Sequence, residues 1–508
     1  MFCLDCKSLV PTTVGTPECY TCGGARVTLD VFDILHHEET RVVPGSRATQ
    51  IEMAETIFNA IQTAEEKGIY ARLAIEGPVG VGKTLAYLAS GYSLPGKRVL
   101  VSTATNNLQS QVVESVNDIN ERVKEVFDKR SKYMGVGCTP LKGASHYLCA
   151  KAARGVSEED PELGDFLVEA VEQMWSSGVA TVADAKKLKP RTAWWKTAAH
   201  YCLGDRCQHS MDCAYLYTKE RATGTKYMVT NHSLLAHMVK SVSTSPAVGS
   251  SKAVSGSSSL SNILKGYDVV VIDEAHEFEK FVKSAYQTDE SLLGLLKELP
   301  TLGAFVRGET NFKEQGETIK NRIRPYLKKV KVLASKDFSF SDWEEVTHLE
   351  TMSVLHEVLS DAYVLICKAF AWIEEHRTTP RPKALRYWTK RKDALSQIIS
   401  ERKYLRLFQL GQQGRIQVRV LADIPRSWFQ NAFAEKHVIF TSGTLLSKGK
   451  PRCVQNVGLS LDHVKEIDTT FDYKNQGVLF TTSDPDLDPG KARSRDGHAT
   501  WVKTQVQY

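Results

Sequence analysis

The chain has 508 residues, 42% of them hydrophobic and 24% charged, and a formal net charge of +6. That length allows several domains of ordinary size, and the balance describes a globular chain rather than a disordered or fibrous one. No apolar stretch approaches the roughly 20 residues that span a bilayer, so a membrane partner is not expected.

The first residues, Met1-Phe2-Cys3-Leu4-Asp5-Cys6, lack the charged-then-apolar pattern of a secretory signal. The expected location is the cytoplasm, where the eleven cysteines serve as thiols or metal ligands rather than disulfides. The mildly basic balance permits a nucleic-acid partner without requiring one.

Cys3-x-x-Cys6 and Cys19-x-x-Cys22 form two knuckles separated by a loop containing Pro11, Gly15 and Pro17. Four thiolates in paired C-x-x-C form suit tetrahedral Zn²⁺, and a short segment without its own core needs such a staple. The competing reading is a redox pair, but two knuckles this close favour a zinc ribbon over residues 1–28. Arg47-Ala48-Thr49-Gln50 then opens a segment with helical apolar spacing through Met53, Ile57, Ala60 and Ile61. The side-chain amide of Gln50 can bond an adenine edge in bidentate fashion.

After the apolar run Leu73-Ala74-Ile75 comes Gly77-Pro78-Val79-Gly80-Val81-Gly82-Lys83-Thr84, followed by Leu85-Ala86-Tyr87-Leu88. Strand, glycine-rich loop and helix with the spacing G-x-x-x-x-G-K-T make a phosphate loop. Its glycines let backbone N–H groups close around phosphate oxygens, and the new helix points its positive end at the same anions. Lys83 is expected to reach the β- and γ-phosphates of a nucleoside triphosphate, and the Thr84 hydroxyl to hold Mg²⁺.

Arg98 to Ser102 reads as a buried strand that runs into Thr103-Ala104-Thr105. Hydroxyls there can bind a nucleic-acid phosphate backbone or cap the next helix, and Thr105 can do both. Cys149 and the later trio Cys202, Cys207 and Cys213 supply the four thiolates of a cubane iron–sulfur cluster. Zinc remains the alternative, but the uneven spacing with one distant ligand favours 4Fe-4S. Cys138 reads as a spare.

Between these cysteines lie Lys186, Lys187, Lys189, Arg191, Trp194, Trp195 and Lys196. Cations interleaved with tryptophans suit stacking on a single strand, and equally suit a solvated helix end above core tryptophans. Residues 241–261 are a flexible serine-rich loop. They lead to Val269-Val270-Val271-Ile272-Asp273-Glu274-Ala275-His276, the acidic half of a nucleotide-hydrolysis site. Asp273 is expected to bind Mg²⁺ through water and Glu274 to activate the attacking water.

Leu349 to Phe370 carries an apolar stripe over several helical turns, so the region up to about residue 420 reads as a helical insertion. A last buried strand, His437-Val438-Ile439-Phe440, closes on Thr441-Ser442-Gly443-Thr444.

In this order the motifs resemble superfamily 2 helicases of the XPD/DinG group across about residues 40–480. Tyr147-Leu148-Cys149 and Asn231-His232-Ser233-Leu234-Leu235 resemble bacterial and phage DinG most. The resemblance implies an α/β fold, a RecA-like motor domain over 29–148, 214–276 and 421–450. It is interrupted by an iron–sulfur domain at 149–213 and a helical Arch at 277–420, with 451–508 starting a second motor domain.

It further implies ATP-driven 5′→3′ movement on single-stranded or forked DNA, with the iron–sulfur domain acting as a wedge. Gln50, with Arg47, would serve the adenine, Thr103, Thr105, Asn231, Trp194 and Trp195 would face DNA, and His276 would couple the two sites. Ser442 and Thr444 would link hydrolysis to motion. Two departures stand out: the zinc ribbon is foreign to the pattern, and no Q-x-x-G-R-x-x-R arginine motif follows Phe480. Expected readings are therefore a helicase whose second half is supplied by another polypeptide, or a nucleotide-switched DNA-binding subunit.

Overall fold

The computed structural model describes residues 2–3, 27–28, and 48–468 except 95, 128–135, 177–180, 189–191, 200–206, 212, 245–259, 308, 379, 381, 412–413, 422–425 and 447–459. Arg47, Cys6, Cys19, Cys22 and Cys202 lie outside those residues, as do the side chains of Cys3 and Trp195. At the amino end only a short antiparallel pair is described, β1 (Phe2–Cys3) with β2 (Val27–Thr28).

Seven parallel strands make the main sheet: β3 (Arg72–Glu76), β4 (Val99–Thr103), β5 (Cys138–Pro140), β6 (Tyr227–Asn231), β7 (Val269–Asp273), β12 (His437–Ser442) and β13 (His463–Glu466). Their spatial order is β13-β3-β12-β7-β4-β6-β5. β4, β7 and β12 are buried along their whole length, which explains why they read as apolar runs and not as alternating patterns.

Two apolar layers cover the faces. One side gathers Ile57, Ile61, Leu88, Val101, Val116 and Ile439; the other gathers Leu100, Leu235, Val270, Phe278, Phe433 and Phe440. Helices on both faces of a parallel sheet are the α/β architecture expected. Among the described residues no helix is long and apolar enough to cross a membrane.

The sheet takes in more chain than the sequence reading allowed. β13 pairs in parallel with β3, and Asp462 accepts a hydrogen bond from the Arg72 backbone N–H at 2.9 Å. Lys465 adds an ion pair to Glu52 at 2.6 Å. The boundary placed at 451 is thus corrected: residues 462–467 complete this sheet, with Ile467 buried in its core.

The first insertion, after Tyr147 and Leu148, has its own small core of Leu148, Ala153, Val156, Leu167, Val171 and Trp194. It is tied back where Cys149 donates its backbone N–H to Thr197 at 2.7 Å.

The second insertion is not purely helical. Its long helix Glu350–Glu375 buries the predicted stripe, but a four-stranded antiparallel sheet packs on it. That sheet orders β8 (Thr288–Ser291), β11 (Ile416–Leu421), β10 (Leu405–Leu410) and β9 (Phe338–Phe340). Strand β10 carries Arg406, fully buried, whose guanidinium donates to the carbonyls of Ile398 (2.7 Å), Ser341 (2.8 Å) and Tyr404 (3.0 Å). A charge in a core reads as surface in sequence; here fixed carbonyl dipoles take the place of water. Short strands far apart in the chain carry little periodic signal, which is why the helical reading missed them.

Candidate nucleotide site and its nucleic-acid lip

The loop Gly77–Thr84 connects β3 to the helix Lys83–Tyr92 at the carboxyl edge of the sheet. Gly80 and Gly82 have φ of 88° and 82°, a left-handed backbone that side chains resist. At Gly82 the constraint is double, because an added Cβ would lie 2.2 Å from Gln50 Nε2. Gln50 is buried and donates that amide to the Gly82 carbonyl at 3.2 Å. In this conformation its nitrogen is therefore spent on shaping the loop, a role the reading as an adenine contact did not include.

Lys83 is folded over the loop, with Nζ donating to the carbonyls of Gly77 (2.8 Å) and Pro78 (3.4 Å). The start of the loop is held by β12, since Gly77 donates its N–H to the Ser442 carbonyl at 3.0 Å. Val79 stands exposed at the tip of the loop.

Across the sheet edge Asp273 ends β7, buried, and accepts a hydrogen bond from the Tyr87 hydroxyl at 3.2 Å. Tyr87 sits one helical turn beyond Thr84, so the loop helix itself holds the carboxylate. Burial, then the neighbouring Glu274 charge, push the Asp273 carboxyl up to about 6; Tyr87 and Lys83 pull the other way. A cation bound beside it would offset that cost, which fits the Mg²⁺ role given to Thr84 and Asp273.

Glu274 takes a left-handed backbone, φ 52° and ψ 48°, costly for a residue with a Cβ. Its N–H donates to Asp273 Oδ1 at 3.0 Å, while its Oε2 accepts from Ser442 Oγ at 3.0 Å. His276 Nδ1 lies 2.7 Å from the same Ser442 Oγ and 3.4 Å from Glu274 Oε2. Thr444 also donates its N–H to Ser442 Oγ, at 3.1 Å. A hydroxyl has one proton, and here it goes to Glu274, so His276 donates from Nδ1. Residues that stood in two separate sequence motifs thus form one bonded group around the Glu274 carboxylate.

The edge formed by β4 and β6 carries the polar lip. Thr105 is exposed and caps the helix Asn106–Phe127 by accepting from the Leu108 N–H at 3.2 Å. Asn231 bridges the strands, donating to Asn106 Oδ1 at 3.2 Å and accepting from the Leu234 N–H at 2.9 Å. Thr103 does not belong to this lip. It is fully buried and spends its hydroxyl on the Thr105 carbonyl at 3.0 Å. Trp194 is likewise corrected: it is fully buried in the insertion core and offers no face for a base.

Of the cluster cysteines, Cys149, Cys207 and Cys213 line one cavity with Trp175 and His209. Among the described residues no three His, Cys, Asp or Glu side chains are arranged to hold a single metal ion. Cys138 stands apart from them, in β5 against the core of the main sheet, where burial pushes its thiol up to about 12.

Sequence reasoning did not single out Tyr87, and it quoted Ser102 and His232 only as parts of motifs, with no role of their own. The one available signal for Tyr87 was its spacing of three from Thr84 on a helix.

No protein-family model matches the chain. It is 25% identical over 269 residues to the ATP-dependent DNA helicase YoaA of Haemophilus influenzae, covering 50% of this chain and 37% of that protein. It is 25% identical over 224 residues to the ATP-dependent DNA helicase DinG of Shigella flexneri, covering 39% and 30%. The chain therefore spans well under half the length of these relatives. Among solved structures, an XPD helicase aligns over 84% of this chain and 63% of its own, at 14% identity and a TM-score of 0.40.

Two outcomes follow from the geometry. Gly82→Ala should abolish nucleotide binding, and adding Gln50→Ala should restore it only in part, because the φ strain remains; a fluorescent-nucleotide titration reads both. A carboxyl raised from 3.8 to about 6 by burial destabilises the fold, in its charged form, by roughly 3 kcal/mol. That cost is absent below pH 4 and fully present above pH 6. Asp273→Asn should therefore raise the melting temperature of the metal-free protein at pH 7.5 and leave it nearly unchanged at low pH.

Proposed function

From the premise that this is an XPD/DinG-like chain, related to the YoaA and DinG helicases, we propose that it is an ATP-dependent motor acting on single-stranded or forked DNA. The observation that carries the reading is the bonded group of Glu274, Ser442 and His276 beside the phosphate loop. Lys83 and the loop N–H groups hold the triphosphate, and Thr84 and Asp273 hold Mg²⁺. Glu274 takes a proton from the attacking water, and must exchange its bond to Ser442 for one to that water. Movement of Ser442 or His276 thereby changes the availability of the base, which links hydrolysis to the strand that carries Ser442 and the turn that carries His276.

DNA follows the lip of Thr105 and Asn231, and 5′→3′ movement is the polarity that goes with this type of motor. Cys149, Cys207 and Cys213, with Cys202 as fourth ligand, fit a 4Fe-4S cluster that staples the first insertion. Cys3, Cys6, Cys19 and Cys22 fit Zn²⁺ by spacing.

The full chain should hydrolyse MgATP faster with single-stranded DNA than without it. Lys83→Ala should lose nucleotide binding, while Glu274→Gln should keep it and lose hydrolysis by at least about 100-fold. DNA binding that survives Lys83→Ala together with no DNA-stimulated hydrolysis by the unaltered chain would favour a nucleotide-switched binding subunit instead. For the cluster, anaerobically purified protein should absorb near the visible charge-transfer region and carry about four irons per chain. Cys207→Ser and Cys213→Ser should each bleach it; a colourless protein holding zinc alone would sink the assignment.

A further inference from the structure

His232 starts the helix that leaves β6, directly after Asn231 of the polar lip, and is fully buried. Its Nδ1 lies 2.8 Å from Ser102 Oγ on β4, and Ser102 in turn sits opposite Ile272 of β7. Phe278 and Phe281 meet the ring edge-on, at centroid distances of 5.4 and 5.6 Å. Burial lowers its pKa to about 4, and the backbone of Glu274 and Asp273 acts in the opposite sense. The ring is therefore neutral and stands against the turn that carries the hydrolytic carboxylates. Ser102 Oγ has its proton to give, so Nδ1 accepts and Nε2 carries the ring N–H.

That Nε2 is enclosed and completes no well-formed hydrogen bond, although the backbone of Asp273 and Glu274 stands beside the ring. A buried donor left unpaired costs about 1–3 kcal/mol, and such groups call for an explanation. The backbone of Asp273 and Glu274 already acts on this ring, and it is the same turn that holds Glu274 at φ 52°.

We propose that His232 is a positioning residue: with Ser102 it ties the β4–β6 lip to the backbone of Glu274, and its Nε2–H takes up that carbonyl when the lip engages nucleic acid. Two neighbouring strands then report to the third through one buried ring. Closing the bond offsets the unpaired donor and biases the strained turn, which aims the Glu274 carboxylate. The inference rests on the reading of this chain as a DNA-stimulated ATPase.

The test uses the full chain and compares steady-state ATP hydrolysis at saturating single-stranded oligonucleotide. His232→Phe keeps an aromatic ring and removes both nitrogens; Ser102→Ala removes the other half of the link. Expected is a fall in kcat of about 3- to 30-fold for His232→Phe, with KM for ATP and oligonucleotide affinity within about 2-fold of the unaltered chain. Ser102→Ala should fall in the same direction, and the double variant should be no worse than His232→Phe alone. His232→Asn, which keeps a donor, should recover part of the loss.

An unaltered kcat in His232→Phe overturns the inference, as does a fall accompanied by equal damage to KM and oligonucleotide affinity. If His232→Phe fails to fold, Ser102→Ala and His232→Asn decide by the same criteria. An unaltered chain that shows no stimulation by the oligonucleotide overturns the functional reading itself, and the inference with it.

Discussion

Parallel pairing of β12 between β3 and β7 sets the geometry of everything at the candidate nucleotide site. Its register places Ser442 opposite Glu76, at the start of the phosphate loop, and Thr441 opposite Asp273. From there Ser442 reaches both sides: its carbonyl accepts the Gly77 N–H, and its hydroxyl bonds Glu274. A slip of one residue would turn this serine to the other face and break both links at once. β12 follows β7 only after the whole second insertion, so residues bonded to one another in the site lie far apart in the chain.

The site is also where the fold accepts costs that its core avoids. Asp273 is buried and raised to about 6, Glu274 holds a strained backbone, and His232 keeps an unpaired donor. Elsewhere the Gln109 side chain donates its amide to the carbonyls of Val229 (2.7 Å) and Leu141 (3.2 Å). At the carboxyl ends of β6 and β7 these costs stand side by side, in a place suited to changing partners.

The two insertions solve a different problem. Each carries its own apolar core, one around Trp194 and one around the long helix Glu350–Glu375, so each packs as a unit beside the sheet and leaves its register intact. Three cysteines, Cys149, Cys207 and Cys213, line one cavity at the edge of the first core.

Much of this was legible in the residues. Gly80 and Gly82 declare a left-handed loop because other residues resist that backbone, and four-residue apolar runs before Asp273 and Thr441 declare strands buried on both faces. Local chemistry with a fixed spacing survives in one dimension. What tertiary structure alone decided is who meets whom: that Trp194 is core and Thr103 is internal, that Gln50 braces the loop, that residues 462–467 join the first sheet, and that Ser442, His276 and Glu274 share one hydrogen-bonded group. Those outcomes depend on strand order and burial, and burial is a property of the packed sheet, which residue spacing along a single chain does not carry.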